Sequence, residues 1–210
     1  YIRKEVTGPI GNTIGLYKPL FDDAGFRTAR RCEAASPVFS TTGRRKERKM
    51  MQVNEFQEIL YSKDDSGIVT ITLNIPKRKN AFSKYTTYEL FWAMEALEKD
   101  ETAHALIITG ARDPDSDDPT KEAFCSGGYF HPNAMAPASE EARAEIDMTD
   151  IAEARMTLKM WQCDKPIIAA VNGLFIGGGF TMCLTCCDLV YCSEHAWAQL
   201  PFIRLGIVPE

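Results

Sequence analysis

The sequence predicts an α/β domain built from repeated β-β-α units over residues 51–210. Two β-rich runs at 56–61 and 68–73 are separated by a polar turn, which is typical of a hairpin. A helix is then predicted to begin after Ser83, a good N-cap, because apolar residues recur at helical spacing from there to about Lys99. Strands that alternate with helices in this way favour the α/β class.

The same alternation continues to the last residues of the chain. Strands are predicted at 105–109, 166–171 and 189–192, and helices at 139–163 and 178–186. Residues 123–128 are predicted to be the end of a strand that runs into a glycine turn. In the first of these helices, an apolar face is predicted from Ile146, Ile151, Ala154, Leu158 and Trp161. The acid-rich stretch at 110–122 is predicted to be a solvated insertion, because Pro114 and Pro119 interrupt the spacing that a calcium loop needs.

Charge divides the 210 residues into two parts. Residues 1–50 carry a balance of +6, whereas the remainder carries −11. A core that acidic is a poor nucleic-acid binder, since phosphate neutralisation requires a basic face. We therefore predict two segments: residues 1–50 as an unassigned leader, disordered or targeting, and residues 51–210 as the folded core. No apolar run reaches the length of about 20 residues that spans a bilayer, so no membrane span is predicted.

Seven cysteines, an odd number, favour reduced thiols over a disulfide framework. Cys183, Cys186 and Cys187 form a cluster, but no Cys or His pair at ligand spacing accompanies it. We predict packing thiols and no metal site.

Two glycine turns carry the chemical signal. Gly177, Gly178 and Gly179 follow a buried strand and open a helix, and Ser126-Gly127-Gly128 follows another predicted strand. Two such turns could aim backbone N–H groups at one oxygen, which is the arrangement of an oxyanion hole.

Ordered motifs across residues 56–210 resemble the crotonase (enoyl-CoA hydratase/isomerase) superfamily. They are residues 69–81, 106–110, 123–127, 165–173, 177–179, 187–190 and 200–210. The resemblance implies the crotonase fold, here with its C-terminal helical part missing, and a homotrimer or hexamer when full length. It also implies an acyl-CoA thioester as substrate, whose enolate oxygen is stabilised. Coenzyme A is then part of the substrate, and no separate cofactor is expected.

Site residues follow from the same resemblance. The oxyanion-hole amides would belong to Ser126 and Gly178. The substrate-binding residues would be Lys79, Asn80, Ala81, Ser126, Gly127, Gly128, Tyr129, Phe130, Gly177, Gly178 and Phe202. Lys77, Arg78 and Lys79 could meet the phosphates of coenzyme A, or they could form a solvated loop face. His131 could touch the substrate or be structural.

The reaction is predicted from departures within the family. Hydratases of this family use two glutamates, and here Thr181 and Phe202 stand at those positions. Neither can transfer a proton as a carboxylate does, which disfavours water addition. Residues 200–210 instead resemble the peroxisomal-type Δ3,Δ2-enoyl-CoA isomerases, in which a later glutamate moves the proton; here that residue is Glu210. An exposed terminal Glu in a truncated chain is the alternative for this residue.

The sequence therefore predicts an isomerase that converts 3-enoyl-CoA to trans-2-enoyl-CoA in unsaturated fatty acid β-oxidation, with Glu210, Ser126 and Gly178 as catalytic residues. The alternatives are a catalytically silent acyl-CoA-binding homologue or another crotonase reaction: hydration, dienoyl-CoA isomerisation or thioester hydrolysis. A peroxisomal or mitochondrial location is expected.

Overall fold

The computed structural model describes residues 2–7, 13–18, 51–129, 131, 139–149 and 154–208. The chain divides into two units, Tyr1–Glu47 and Arg48–Glu210. In the first unit, strands β1 (Ile2–Thr7) and β2 (Thr13–Lys18) pair antiparallel, a pairing that the sequence did not predict. The role of residues 1–50 stays a prediction.

The second unit is built on a five-stranded sheet with the order β3-β4-β5-β7-β9. Its strands are β3 (Ile59–Lys63), β4 (Ile68–Leu73), β5 (Ala105–Gly110), β7 (Ile167–Val171) and β9 (Leu189–Cys192). The first two form the predicted antiparallel hairpin, and the other neighbours pair in parallel. Parallel neighbours need crossover connections, and helices supply them.

A second, smaller parallel sheet has the order β10-β8-β6. It consists of β6 (Ala123–Cys125), β8 (Leu174–Ile176) and β10 (Ala198–Gln199). Both glycine turns directly follow strands of this sheet: residues 126–128 follow β6, and residues 177–179 follow β8. Strand β8 is only three residues long, and its apolar residues were not predicted as a strand.

The predicted helix after Ser83 is helix α1 (Lys84–Lys99), with the bounds that the pattern indicated. The Ser83 hydroxyl oxygen accepts a hydrogen bond from the backbone N–H of Thr86 at 3.0 Å, as an N-cap does. Leu90 and Met94 on this helix are fully buried in the core. Helix α4 (Gly178–Cys186) also has its predicted bounds.

The single helix predicted at 139–163 is described as two, α2 (Glu140–Glu145) and α3 (Ala154–Trp161). The predicted apolar face is wrong for α3, because Leu158 and Trp161 are exposed while Met156 and Met160 are buried. The ion pairs on this helix fit that orientation: the ammonium group of Lys159 lies 2.6 Å from carboxylates of Glu95 and Glu98 on α1.

The last described element is the short helix α5 (Phe202–Leu205). Strand β9 before it forms an edge of the larger sheet, and its four residues are all exposed. No helix among the described residues is long and apolar enough to cross a membrane.

Candidate active site

The two glycine turns meet at one place in the second unit. A Cβ on Gly127 would lie 2.9 Å from the carbonyl oxygen of Ile176 and 3.5 Å from the amide nitrogen of Gly178. Gly127 also has a φ of +91°, a region that side-chain-bearing residues rarely adopt. The close approach of the turns therefore depends on glycine at this position.

The Gly178 amide has the properties of an oxyanion donor. It is the first residue of α4, where backbone N–H groups have no partner within the helix. Within the described part of the chain, no acceptor is hydrogen-bonded to it. The positive end of the helix dipole adds to its attraction for a negatively charged oxygen.

Helix α4 is held against β6 at its second residue. A Cβ on Gly179 would lie 2.6 Å from the carbonyl oxygen of Cys125 and 3.0 Å from its sulfur, so only glycine allows this approach. The fixed position of α4 in turn fixes the Gly178 amide. Burial raises the pKa of the Cys125 thiol to about 12, so this thiol does not supply a thiolate nucleophile at neutral pH.

The Ser126 amide differs from the Gly178 amide, because it already has an acceptor. The Ser126 N–H donates to the carbonyl oxygen of Lys79 at 3.0 Å, and its hydroxyl donates to the carbonyl oxygen of Arg78 at 3.2 Å. A ligand oxygen at this amide would have to replace the Lys79 carbonyl. The role predicted for Ser126 therefore requires an exchange of hydrogen bonds.

The loop that carries Lys79, Asn80 and Ala81 is held by hydrogen bonds within the protein. Lys79 and Asn80 both have left-handed backbone conformations. The Asn80 side chain is 0% exposed, donates to the carbonyl oxygens of Ala111 and Ala123, and accepts from the Ile75 N–H at 3.0 Å. Its polar groups are thus used inside the protein.

The substrate-binding roles predicted for Asn80 and Ala81 stay predictions, and the structure shows how exposed each side chain of this loop is. The Asn80 and Ala81 side chains are buried, whereas the Lys79 side chain is 41% exposed. Asn80 shapes the loop, because buried amides are retained where they satisfy backbone groups. Of the three residues, Lys79 alone presents its side chain at the surface.

The basic residues of this loop have internal partners. Arg78 pairs with the buried carboxylate of Glu58. The ammonium group of Lys77 lies 3.1 Å from the carboxylate of Asp115, and that of Lys79 lies 3.8 Å from that of Asp113. The acid-rich insertion therefore contacts the basic loop, which the prediction of a merely solvated insertion did not include.

Apolar side chains surround the meeting point of the turns. The ring of Phe82 would lie 3.8 Å from a Cβ on Gly178, and Pro201 would lie 4.0 Å from a Cβ on Gly177. Phe202 follows as the first residue of α5 and is half-buried. The Phe82 carbonyl oxygen accepts from the Tyr129 N–H at 2.6 Å.

Gly128 continues the Ser126–Tyr129 turn and forms a parallel bridge with Phe82, which brings it to the same place. The Tyr129 ring stacks on the His131 ring with a centroid distance of 5.7 Å. Phe82 was not among the predicted site residues. Its position directly after Asn80-Ala81 was the signal that could have found it.

Thr181 does not replace the missing hydratase glutamate. Its hydroxyl donates back to the carbonyl oxygens of Gly177 and Gly178 at 3.4 and 3.3 Å, within the first turn of α4. No group of three His, Cys, Asp or Glu residues in the described ranges is placed to hold a metal ion. Phe130 and Glu210 lie outside the described residues, so their predicted roles stay predictions.

The fold and the paired turns define an α/β protein in which the Gly178 amide lies beside the Ser126–Gly128 turn and near the Phe82 ring. The chain belongs to the enoyl-CoA hydratase/isomerase family, whose model matches residues 63–210. The predictions of the crotonase superfamily and of its fold are confirmed by this match and by solved structures. An enoyl-CoA hydratase from Bacillus anthracis superposes with a TM-score of 0.58 at 27% identity, over 73% of this chain and 54% of that one.

Curated relatives carry related names. A carnitinyl-CoA dehydratase of Escherichia coli strain K12 is 33% identical over 73% of this chain and 52% of its own length. A 1,2-epoxyphenylacetyl-CoA isomerase of the same strain is 27% identical over 73% of this chain and 54% of its own. The chain spans about half the length of the curated relatives it matches.

The comparison also corrects the predicted location. These relatives are bacterial enzymes, and bacteria have neither peroxisomes nor mitochondria. The prediction of a peroxisomal or mitochondrial location is therefore wrong.

Proposed function

We propose that this chain is the core of an enzyme that converts 3-enoyl-CoA to trans-2-enoyl-CoA in the β-oxidation of unsaturated fatty acids. One observation carries the proposal. The Gly178 amide, which has no acceptor among the described residues, lies beside the Ser126–Gly127 turn and near the Phe82 ring, while the two hydratase glutamate positions hold Thr181 and Phe202. Such an amide can stabilise an enolate oxygen, but neither of those two positions offers a carboxylate to activate water.

The reaction needs one base and one oxyanion site. The base removes a proton from C2, and the electron pair forms a C1–C2 double bond as negative charge moves to the thioester oxygen. The Gly178 amide, and the Ser126 amide once it leaves the Lys79 carbonyl, would stabilise that oxygen in the dienolate. The charge then returns through the conjugated system as C4 takes up the proton, which leaves the double bond between C2 and C3.

Glu210 is the proposed base. One carboxylate suffices, because the proton leaves C2 and returns at C4 on the same face of the dienolate. The resemblance of residues 200–210 to the Δ3,Δ2-enoyl-CoA isomerases supports this assignment. No cofactor beyond the coenzyme A of the substrate is proposed.

The rest of the substrate would follow the two contacting loops. Lys77 and Lys79, whose side chains are 77% and 41% exposed, precede the Asn80-Ala81 segment, and we propose that they meet the phosphates of coenzyme A. Residues 127–130 would line the channel for the pantetheine and acyl groups, with Phe202 at its wall.

The test is a comparison of two reactions on the same protein. Incubation with 3-hexenoyl-CoA, followed by NMR, should show conversion to 2-hexenoyl-CoA, whereas crotonyl-CoA should remain unhydrated over the same time. Glu210→Gln should abolish the isomerisation, and Glu194→Gln, at an 87% exposed glutamate, should not affect it. Hydration as fast as isomerisation, or full activity of Glu210→Gln, would overturn the proposal.

A second candidate is an acyl-CoA-binding protein without turnover. The observation that favours it is the hydrogen bond from the Ser126 N–H to the Lys79 carbonyl, because it occupies one of the two oxyanion donors. This candidate predicts binding of hexanoyl-CoA by calorimetry without conversion of 3-hexenoyl-CoA. Other family reactions are suggested only by the names of relatives, a dehydratase and an epoxide isomerase.

Assembly as a trimer, or as a dimer of trimers, is also proposed. Exposed apolar side chains such as Tyr191, Ile203 and Val208 support it, since large exposed apolar patches mark contact surfaces. Sedimentation equilibrium of the whole protein tests the assembly, and a monomer at micromolar concentration would contradict it.

A further inference from the structure

Glu58, a buried carboxylate near the site, has no place in the proposed reaction. It is 6% exposed, at the approach to strand β3. It accepts hydrogen bonds from the guanidinium of Arg78 and from the hydroxyls of Ser83 and Thr86, the Ser83 bond being 2.5 Å long. A buried carboxylate with three donors is firmly oriented, because displacing any donor leaves charge uncompensated.

Arg78 connects this carboxylate to the Ser126 turn. Its guanidinium carbon lies 4.4 Å from the centre of the Tyr129 ring, within the range of a cation–π contact. Its backbone carbonyl accepts the hydroxyl of Ser126. The Nε–H of Arg78 is buried and has no acceptor among the described residues, so Glu58 and the ring orient the guanidinium.

The neighbouring cations Lys77 and Arg78 thus lie in different environments. The Lys77 side chain is 77% exposed, whereas that of Arg78 is 21% exposed and points into the contacts just described. Arginine suits such a position, since its planar group can pair with a carboxylate and stack on a ring at the same time. Lysine carries a point charge and has no planar group that could stack on the ring.

We propose that Arg78 is a positioning residue, oriented by Glu58, that fixes Tyr129 and thereby the Ser126 turn against which the thioester binds. The inference rests on the proposed function, because it assigns the contact to the wall of the acyl-CoA site. Arg78 touches no reacting atom. It acts by keeping the turn in place, through Tyr129 and through the carbonyl that accepts from the Ser126 hydroxyl, while the Ser126 amide exchanges the Lys79 carbonyl for the ligand oxygen.

The test uses 2,4-hexadienoyl-CoA as a probe, since hydrogen bonds to its thioester oxygen polarise the conjugated group and shift its absorption to longer wavelength. With the wild-type chain, a shift on binding is expected. Arg78→Met should lose most of the shift while the Kd rises by less than about threefold, and turnover of 3-hexenoyl-CoA should fall about tenfold through kcat. Arg78→Lys should retain part of the shift and part of the turnover.

Two controls separate positioning from charge. Lys99→Met removes one positive charge at a lysine that is 56% exposed on α1 and has no proposed role in the site, and it should leave the shift intact. Tyr129→Leu should reduce the shift as Arg78→Met does, and the double variant should be no worse than either single variant, because both remove one coupled contact. Thermal unfolding of each variant reports folding, and Arg78→Lys serves if Arg78→Met does not fold.

The outcomes distinguish the two proposals. A wild-type chain that binds the probe without any shift would overturn the oxyanion site and with it the proposed function. A normal wild-type shift that is unchanged in Arg78→Met, or lost equally in Lys99→Met, would overturn the positioning role alone. Independent, multiplying effects of Arg78→Met and Tyr129→Leu would also contradict it.

Discussion

Two regions of the second unit differ in which side chains they bury and which they expose. In the site framework, residues 57–90 with the turn at 126–129, Asn80 and Glu89 are 0% exposed and accept or donate several hydrogen bonds each. In the closing segment, residues 184–208, Ile203 is 89% exposed and Val208 is 82% exposed. The framework buries Asn80 and Glu89, whereas the closing segment exposes Ile203 and Val208.

The difference shows where the stability of this unit resides. Buried polar groups with filled hydrogen bonds specify one geometry, because each alternative leaves a group unpaired. Exposed apolar groups contribute little to the unit that carries them and mark surfaces for further contact. Stability should therefore respond to changes in the framework and be nearly indifferent to changes in the closing segment.

The largest expected effect is at Asn80. Asn80→Ala should lower the free energy of unfolding by about 4 kcal/mol, because it leaves the Ile75 N–H and two carbonyls unpaired and places alanine in a left-handed conformation. Urea denaturation measures the loss. Asn54→Ala, at an exposed asparagine, is the control and should change stability by less than about 0.5 kcal/mol. A loss below about 1 kcal/mol for Asn80→Ala would contradict the conclusion that buried polar groups stabilise the framework.

A matched pair of leucines compares the two regions directly. Leu90→Ala should cost about 3 kcal/mol, because Leu90 is 0% exposed in the core and its removal leaves a cavity. Leu205→Ala, at a leucine 60% exposed in the closing segment, should cost less than about 0.5 kcal/mol. Equal losses in urea denaturation would show that the closing segment is buried in solution.

The pH dependence of stability should show the titration of the Glu89 carboxyl group. Burial raises the pKa of Glu89 to about 7, although backbone hydrogen bonds from Gln57, Glu58 and Ile59 act in the opposite direction. The folded chain therefore keeps this proton to higher pH than the unfolded chain, whose glutamates titrate near 4.5. Raising the pH between these values costs stability, because the unfolded state binds fewer protons.

Between pH 5 and pH 7, the contribution of Glu89 should fall by about 2 kcal/mol and then level off above pH 7. Glu89→Gln removes this titration, so the difference in unfolding free energy between wild type and variant should change by that amount over the window. Neighbouring Tyr85 and Glu58 are present in both proteins. A pH-independent difference would show that Glu89 is ionised throughout.

The smallest expected effect concerns exposed charge. Asp113→Asn with Asp115→Asn should free Lys79 and Lys77 and tighten binding of hexanoyl-CoA about two- to threefold at low salt, since exposed ion pairs contribute less than about 1 kcal/mol. Hexanoyl-pantetheine, which lacks the nucleotide phosphates, should bind unchanged.

Asp117→Asn is the matched control for this double variant. Asp117 lies in the same insertion, and no ion pair to it is found among the described residues. Tighter binding of the pantetheine ester as well would mean that the insertion acts on the acyl site and not on the phosphates.

Regular elements were largely predictable, because their signals are local. The N-cap at Ser83 and helical spacing give α1, and Gly178 marks the start of α4, both with correct bounds. Strand β8 was missed, since its three apolar residues between Gly173 and Gly177 are too few to show an alternation of apolar and polar residues. The face of α3 was predicted wrongly, because Leu158 and Met160 are both apolar and only packing selects between them.

The meeting of the two glycine turns was predictable from the sequence, whereas the hydrogen-bond partners of the site residues were not. The two glycine turns were expected to converge, and they do meet at Gly127 and Gly178. The Asn80 side chain donates hydrogen bonds to backbone carbonyls, and the Ser126 amide already has an acceptor. In both cases these acceptors lie 30 to 50 residues away in the sequence. Such partners leave no periodic signal.

The sequence by itself determined the family, the fold class and the absence of glutamates at positions 181 and 202, because motifs and residue identities need no coordinates. Only the tertiary structure decided that Arg78 points inward to Glu58 and Tyr129 while Lys77 points to solvent. The physical reason is that three adjacent cations are equivalent in a sequence. Arg78 differs from the two lysines because it is largely buried next to the carboxylate of Glu58.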